Sequence, residues 1–349
     1  MIRTILRTLL SSSAVLVIAS GCAATTPAAS PVAATARADR STAAMTASPV
    51  ASVRTPPSAS ATAVPADLAA EIPVGRDPGY LEEAFGFVWV ANHHGDSVSR
   101  IDPATNVASQ TIAVPGEPVG IRAAFDSLWT FTPVDRAVKR IDPGSGSVTV
   151  IPVGVQDGPI TGLVAASGAV WLSGGDGRLH GIDPRTNKVT RSSAVLFDDD
   201  CAGSMAAAAG KLWRVPECGG NRLEAIDPKT LAIVTSIDVP PGSVAVWSGL
   251  NRLWVVSARG QLAVIDPKTG HEERRGGIGF AAEQLRTGIG RVWVRLSAHE
   301  LAAVDPGTLA VTQTYALPRA EIPGGGIAIG SDSVWAANFG ADTVWRITP

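Results

Sequence analysis

Adjacent histidines at His93-His94 and three aspartates in a row at Asp198-Asp199-Asp200 are the residues whose types and spacing could do chemistry. Paired imidazoles can ligate a metal or take a proton near neutral pH. A run of carboxylates offers oxygen ligands to calcium. His299 is the third histidine placed to act, because His180 is predicted inside a strand and His271 just past a turn on the opposite face. Each feature has a plainer alternative. His93-His94 also reads as a solvated turn-forming loop. The acidic run lacks an Asp-x-Asp-x-Asp-Gly pattern and also reads as a solvated acidic loop. There is no Gly-x-Ser-x-Gly element and no Gly-rich phosphate loop. No cofactor is expected, and His93, His94 and His299 are the only catalytic candidates.

The start of the chain is built for export. Arg3 and Arg7 make a positive segment, and Leu9 to Ile18 form an apolar run broken by Ser11, Ser12 and Ser13. That run is too short to span a bilayer, which predicts a signal peptide over residues 1–21. It ends Ile18-Ala19-Ser20-Gly21-Cys22, which resembles a lipobox and predicts lipidation of Cys22. Ala19 stands where such a motif usually has leucine. The competing reading is an ordinary cleavage site with an incidental cysteine. The expected location is the outer side of the cell membrane, held by a lipid at Cys22.

Residues 23–66 are a different material. Of these 44 residues, 35 are Ala, Thr, Ser or Pro, and none is aromatic. Such a segment cannot bury enough surface to offset the entropy of ordering it. Residues 22–66 therefore read as an acylated cysteine and a flexible stalk with an end-to-end distance of roughly 35 Å.

From residue 67 the sequence repeats. Tryptophan recurs at Trp89, Trp129, Trp171, Trp213, Trp254, Trp293 and Trp335, at gaps of 40, 42, 42, 41, 39 and 42 residues. After each comes Ile-Asp-Pro or a variant: Ile101-Asp102-Pro103, Ile141-Asp142-Pro143, Ile182-Asp183-Pro184, Ile226-Asp227-Pro228, Ile265-Asp266-Pro267, Val304-Asp305-Pro306 and Ile347-Thr348-Pro349. A period near 41 fits one four-stranded propeller blade, with strands a to d from the axis outward. The chain is therefore expected to be all-β, with a seven-bladed β-propeller over residues 67–349. The tryptophans are expected to pack between blades rather than form a ligand cage. Asp and Pro suit the first two positions of a c–d turn, and Asn106, Gly146, Asn187 and Gly270 can then take positive φ. Leu231 and Leu309 stand at that last position in two repeats, and those turns are expected to differ. The final repeat stops after strand c, and Glu71 to Val74 match the ends of d strands. They are expected to pair beside Thr343 to Ile347, closing the ring.

In a propeller the b–c and d–a loops share one face, where the channel opens. The b–c loops should bring Asn92, His93, His94, Asp96, Asp135, Arg136, Asp176, Glu217, Arg259, His299, Asn338, Phe339 and Asp342 to that face, and the d–a loops Arg76, Asp77, Glu117, Asp157, Asp198, Asp199, Asp200, Phe280, Glu283 and Gln284. Of these, Arg76, Asp77, Asn92, His93, Asp135, Arg136, Arg259, Glu283 and Asn338 are the candidate ligand-binding residues. Such a mixed-charge rim suits a polar ligand or a protein partner. Cys201 and Cys218 fall on the same face, in the fourth repeat. An exported chain favours their oxidation to a disulfide, worth on the order of 3 kcal/mol for a loop of this size.

The pieces Gly86-Phe87-Val88-Trp89-Val90-Ala91-Asn92 and Val98-Ser99-Arg100-Ile101-Asp102-Pro103, echoed in Val334-Trp335-Ala336-Ala337-Asn338, resemble the YncE-like and YVTN β-propeller proteins and the related streptogramin (virginiamycin B) lyases. The resemblance spans about residues 71–349 and implies a propeller fold. For function it implies either a binding propeller or a lyase with a histidine base and a divalent metal. No catalytic assignment carries over residue by residue. A formal charge of −2 with scattered basic residues excludes a nucleic-acid footprint. The reading reached from sequence is a monomeric, envelope-anchored, non-catalytic binding or scaffold propeller. A metal-dependent lyase or lactone-opening enzyme is the alternative.

Overall fold

The repeat folds as its spacing dictates, and a computed structural model shows how. It describes residues 64–155, 162–197, 203–216, 220–279, 282, 284–297, 299–318 and 325–349, all within the unit Arg54–Pro349. Cys22, Asp157, Asp198, Asp199, Asp200, Cys201, Glu217, Cys218, Phe280 and Glu283 lie outside the described residues, and with them the disulfide, lipidation and calcium expectations.

The described residues are strands and turns, arranged as seven blades. Blade one runs through Pro78–Ala84, Phe87–Asn92, Ser97–Asp102 and Val107–Ala113 as an antiparallel meander, and the later blades repeat it. Blades four and five are one hydrogen-bonded sheet, because Ile233–Gly249 runs unbroken for 17 residues. Its first part pairs with Gly220–Ile226 as the outer strand of blade four. Its last part pairs with Arg252–Ser257 as the inner strand of blade five. The inner strands Pro78–Ala84, Val119–Ala124, Gly162–Ala166, Gly203–Ala208, the end of Ile233–Gly249, Gln284–Gly288 and Ile327–Ile329 each touch the next, and the last touches the first. The circle of sheets is closed.

Each repeat tryptophan is sunk between blades, exposed by no more than 1%. It does more than fill volume. In six blades the indole Nε1 donates to the carbonyl five residues earlier, at the end of strand a: Ala84, Ala124, Ala166, Ala208, Gly249 and Gly288, at 2.9–3.2 Å. A buried carbonyl without a partner costs free energy comparable to a lost hydrogen bond. Tryptophan is the aromatic residue that both fills the layer and supplies that donor.

The c–d turns are held by their aspartates. Asp102, Asp142, Asp183, Asp227, Asp266 and Asp305 each accept a backbone N–H two residues on through Oδ1. Asn106, Gly146, Asn187 and Gly270 take positive φ as expected. The expectation that the Leu231 and Leu309 turns differ is wrong. Both residues take the same left-handed conformation, at φ 59° and 63°, and both amides donate to the turn aspartate's carbonyl as in the other blades. The cost of this conformation, about 1–2 kcal/mol for an L-residue, is offset by burial, since Leu309 is 5% exposed and both side chains pack into inter-blade clusters.

The ring is sealed as the repeat predicts. Leu68–Pro73 lies antiparallel beside Thr343–Ile347, with Glu71 opposite Trp345 and Pro73 opposite Thr343. Arg346 repeats at this seam what Arg140 does between blades two and three. Arg140 donates to Pro184 O and Asn187 Oδ1 of the next turn, and Arg346 donates to Pro103 O and Asn106 Oδ1 of blade one. One strand was not expected. Val64–Pro65, read with the stalk on composition, runs parallel to Tyr315–Ala316 on the edge of blade six.

Candidate functional site

The two adjacent histidines occupy the b–c turn of blade one, next to the seam. His94 Nδ1 lies 2.9 Å from Asp77 Oδ2. The Asp77 amide in turn donates to Asp342 Oδ1 at 2.9 Å, on the last hairpin of blade seven. Arg76 donates to the carbonyl of His94 and lies 3.8 Å from the Asp77 carboxylate. The two imidazole centroids are 4.3 Å apart, and Phe339 presents a ring edge-on to His94 at 6.1 Å. On the other side, His93 Nε2 stands 3.9 Å from Glu117 Oε2. Asp96 Oδ1 fixes the Glu117 loop by accepting the amides of Gly116 and Glu117, both at 2.9 Å. Asp77, Asp96, Glu117 and Asp342 all sit at positive φ, between 50° and 60°. Non-glycine residues in this region concentrate at turns and functional sites.

Ligating atoms of His93, His94 and Glu117 lie within 4.8 Å of one another. The set of two imidazoles and a carboxylate matches what a zinc-type divalent ion takes. His93 Nδ1 is buried with no hydrogen-bond partner, a nitrogen poised for a further contact.

The other candidates divide. Asp135 lies on the neighbouring b–c turn, 2.8 Å from the buried ammonium of Lys139. Burial pushes the Asp135 carboxyl up, but hydrogen bonds from Lys139 and Thr132 and the lysine charge outweigh it and hold the group below its ordinary value. Arg136 follows it at positive φ. Arg259 is exposed on blade five, away from this cluster, and His299 belongs to the b–c turn of blade six. Asn92 and Asn338, expected on the binding face, are instead buried at 0% and 3%. Their Nδ2 groups donate inward to Ser97 Oγ and Ser99 Oγ, and to Thr343 Oγ1. Each ends a strand b, and its side chain braces the hairpin.

A second group of residues lines the central channel, and the sequence reading passed over it. The residue seven before each repeat tryptophan pairs with it across strands a and b: Glu82, Arg122, Val164, Ala206, Trp247, Arg286 and Ala328. These seven positions share one register on the inner strands; Glu82, Arg122, Trp247, Arg286 and Ala328 border the cavities there, while Val164 and Ala206 pack into inter-blade clusters. Arg286 lies over the Trp247 ring at 4.0 Å and Arg122 at 5.2 Å. Arg122 Nη1 is 3.7 Å from Glu82 Oε2. Burial, and then the charge of Arg122, lower the Arg286 guanidinium to about 9, with Glu82 acting the other way. It stays charged at neutral pH. The level toward the loop face is lined by Tyr80, Gly120, Gly162, Ser204, Ala245 and Gln284. These are mostly small side chains, and they leave a vestibule above the arginines.

No family model and no curated protein matches the sequence. Solved structures do match. The chain is similar to virginiamycin B lyase from Staphylococcus aureus, with 16% identity and a TM-score of 0.68 over 80% of this chain and 98% of that one. It is similar to a streptogramin B lyase at 15% identity and a TM-score of 0.69, over 80% of this chain and 96% of that one. It is also similar to the hydrazine synthase of Kuenenia stuttgartiensis, at 13% identity and a TM-score of 0.64, over 82% and 98%. At these identities the likeness shows the fold, a β-propeller, and nothing of the chemistry.

Proposed function

We propose that the protein is an exported binding propeller of the YncE-like kind, carried on a flexible stalk from a lipid at Cys22 and taking a polar ligand or protein partner at its loop face. The observation that carries this reading is the cluster at the seam. Arg76, Asp77, His93, His94 and Glu117 converge from three loops, and left-handed backbone positions hold three of the turns that present them. The repeated tryptophans and turn aspartates are consumed by the fold, so binding specificity falls to these loops. The signal-like N-terminus, Cys22 and the Ala/Pro/Ser/Thr-rich segment support display outside the cell, where a Cys201–Cys218 disulfide would brace the fourth repeat.

A second reading has one specific observation behind it. The His93–His94–Glu117 set would hold a divalent ion, and two of the similar structures are lyases. Bound there, an ion would act as a Lewis acid, and Asp77 would orient His94 through Nδ1. Replacing His93 and His94 together with alanine separates the readings. A binding propeller loses capture of its partner from envelope extract but keeps no turnover to lose. A lyase carries stoichiometric metal by elemental analysis and loses both the metal and lactone-opening activity in the variant. Capture unchanged in the variant, with no metal in the parent, would overturn both.

A further inference from the structure

We propose that the central channel binds a small oxyanion, a carboxylate or a phosphate, at the guanidinium groups of Arg122 and Arg286 beside Trp247. The inference rests on the binding reading above and gives the ligand a charge.

Charge is unevenly spread around one level of the channel. Of its seven positions, Arg122 and Arg286 are cationic, Glu82 is anionic, and Val164, Ala206, Trp247 and Ala328 carry none. Glu82 sits with Arg122, which also donates to Ile121 O at 2.8 Å. Arg286 has no such partner: among the described residues it forms no ion pair. Its one hydrogen bond to those residues runs from Nη1 to Leu285 O at 2.8 Å. It is nonetheless 9% exposed. A guanidinium has five N–H donors in a planar fork, and most of this fork has no described protein acceptor. Burying a charge without pairing it is costly, and two like charges beside one ring add to that cost. The indole offsets part of it through cation–π attraction, which fixes both cations without consuming their N–H donors.

The surroundings suit an incoming anion. With both guanidinium carbons within 5.2 Å of the Trp247 ring, an oxyanion at the ring edge comes within reach of both. The vestibule above is open because four of the residues lining it, Gly120, Gly162, Ser204 and Ala245, carry small side chains or none. Gln284, on the same wall, has a buried Oε1 with no hydrogen-bond partner among the described residues, placed to accept from a hydroxyl or ammonium group on the ligand. Strand a begins at the d–a loops, so the vestibule opens on the same face as the His93–His94 cluster.

The test is titration of the full-length protein with succinate and, separately, with inorganic phosphate, at pH 7 and low ionic strength. Calorimetry and tryptophan fluorescence are the readouts. Saturable one-site binding is expected for at least one probe, and the tighter of the two identifies the class. Arg286→Gln and Arg122→Gln should each weaken it by about tenfold or more, the usual cost of losing a charge-assisted hydrogen bond. Glu82→Gln removes the competing carboxylate and should tighten binding several-fold. That variant keeps the proposal testable if an arginine variant fails to fold. Trp247→Phe should abolish the fluorescence response. Arg222→Gln, at an exposed pair with Asp238 on the outer strands of blade four, should leave anion binding unaltered. The proposal is overturned if neither probe saturates, if Arg286→Gln binds as the parent does, or if Glu82→Gln binds no tighter. Loss of anion binding in the double alanine variant of His93 and His94 alone would move the ligand to the loop face, sinking the channel site while sparing the broader reading.

Discussion

Single residues divide by whether the repeat shows them. The seven tryptophans were legible because every blade needs the same anchor in the same layer. Trp213 is 0% exposed, and its Nε1 donates to Ala208 O at 3.2 Å. Trp213→Phe keeps an aromatic ring but strands that carbonyl and leaves a gap. The expected loss is about 2–4 kcal/mol from the two effects together. It should appear as a lower midpoint in urea unfolding with an unchanged slope. A loss under about half a kcal/mol would mean that water replaces the bond. The channel residues were not legible for the opposite reason. Glu82, Arg122, Trp247 and Arg286 occupy a repeated position that no single residue type holds across the blades, so no pattern marks them until the register with tryptophan is known. Asn92 and Asn338 misled for a third reason. A polar residue at a strand end looks like a loop residue in sequence, but both turn inward to brace their hairpins.

At the scale of the element, the c–d turns show how sequence sets pH behaviour. Backbone amides at Ser145, Lys268 and Thr308 are the leading cause of the lowered carboxyls of Asp142, Asp266 and Asp305, and the Arg185 side chain is the leading cause for Asp183. Their folded pKa values lie below the unfolded ones. The unfolded chain therefore takes up protons first as pH drops. Each turn's contribution is complete above the ordinary carboxylate value of about 3.9 and is lost as pH falls through the lower folded value. Thermal unfolding should hold level near neutrality and drop steeply below about pH 4. Asparagine at all four positions keeps an Oδ1 acceptor but cannot titrate, so its melting temperature should fall less over the same acid range. An identical fall in both proteins would place the acid sensitivity elsewhere. Leu231 and Leu309 belong to this scale too. Turn chemistry alone predicted a break, but burial decided the conformation, and burial between blades is a tertiary fact that local sequence does not carry.

The whole molecule depends on its seam, which is also where the loop-face cluster is assembled. Ile72 is 1% exposed near the end of the closing strand, packed with Leu81, Val88, Ala328 and Trp335. One residue beyond that strand, the Val74 amide donates to Asp342 O, and three beyond that the Asp77 amide donates to Asp342 Oδ1. The first strand, the last hairpin and His94 are thus one connected unit. Ile72→Asp buries an unpaired carboxylate in this layer, a change expected to cost several kcal/mol, more than any loop substitution. Releasing Leu68–Pro73 also leaves Thr343–Ile347 as an open edge, and open edges recruit other chains. Light scattering should therefore show association in the Ile72→Asp protein under conditions where the parent does not associate. Its blades should keep their strand signal, because each packs mainly on its neighbours. The parent's contact between His94 and Asp77 should go with the seam, so partner capture should fail in this variant even with every loop residue intact. A variant that stays unassociated and still captures its partner would show that the loops hold their arrangement without ring closure, and that the seam and the site are independent.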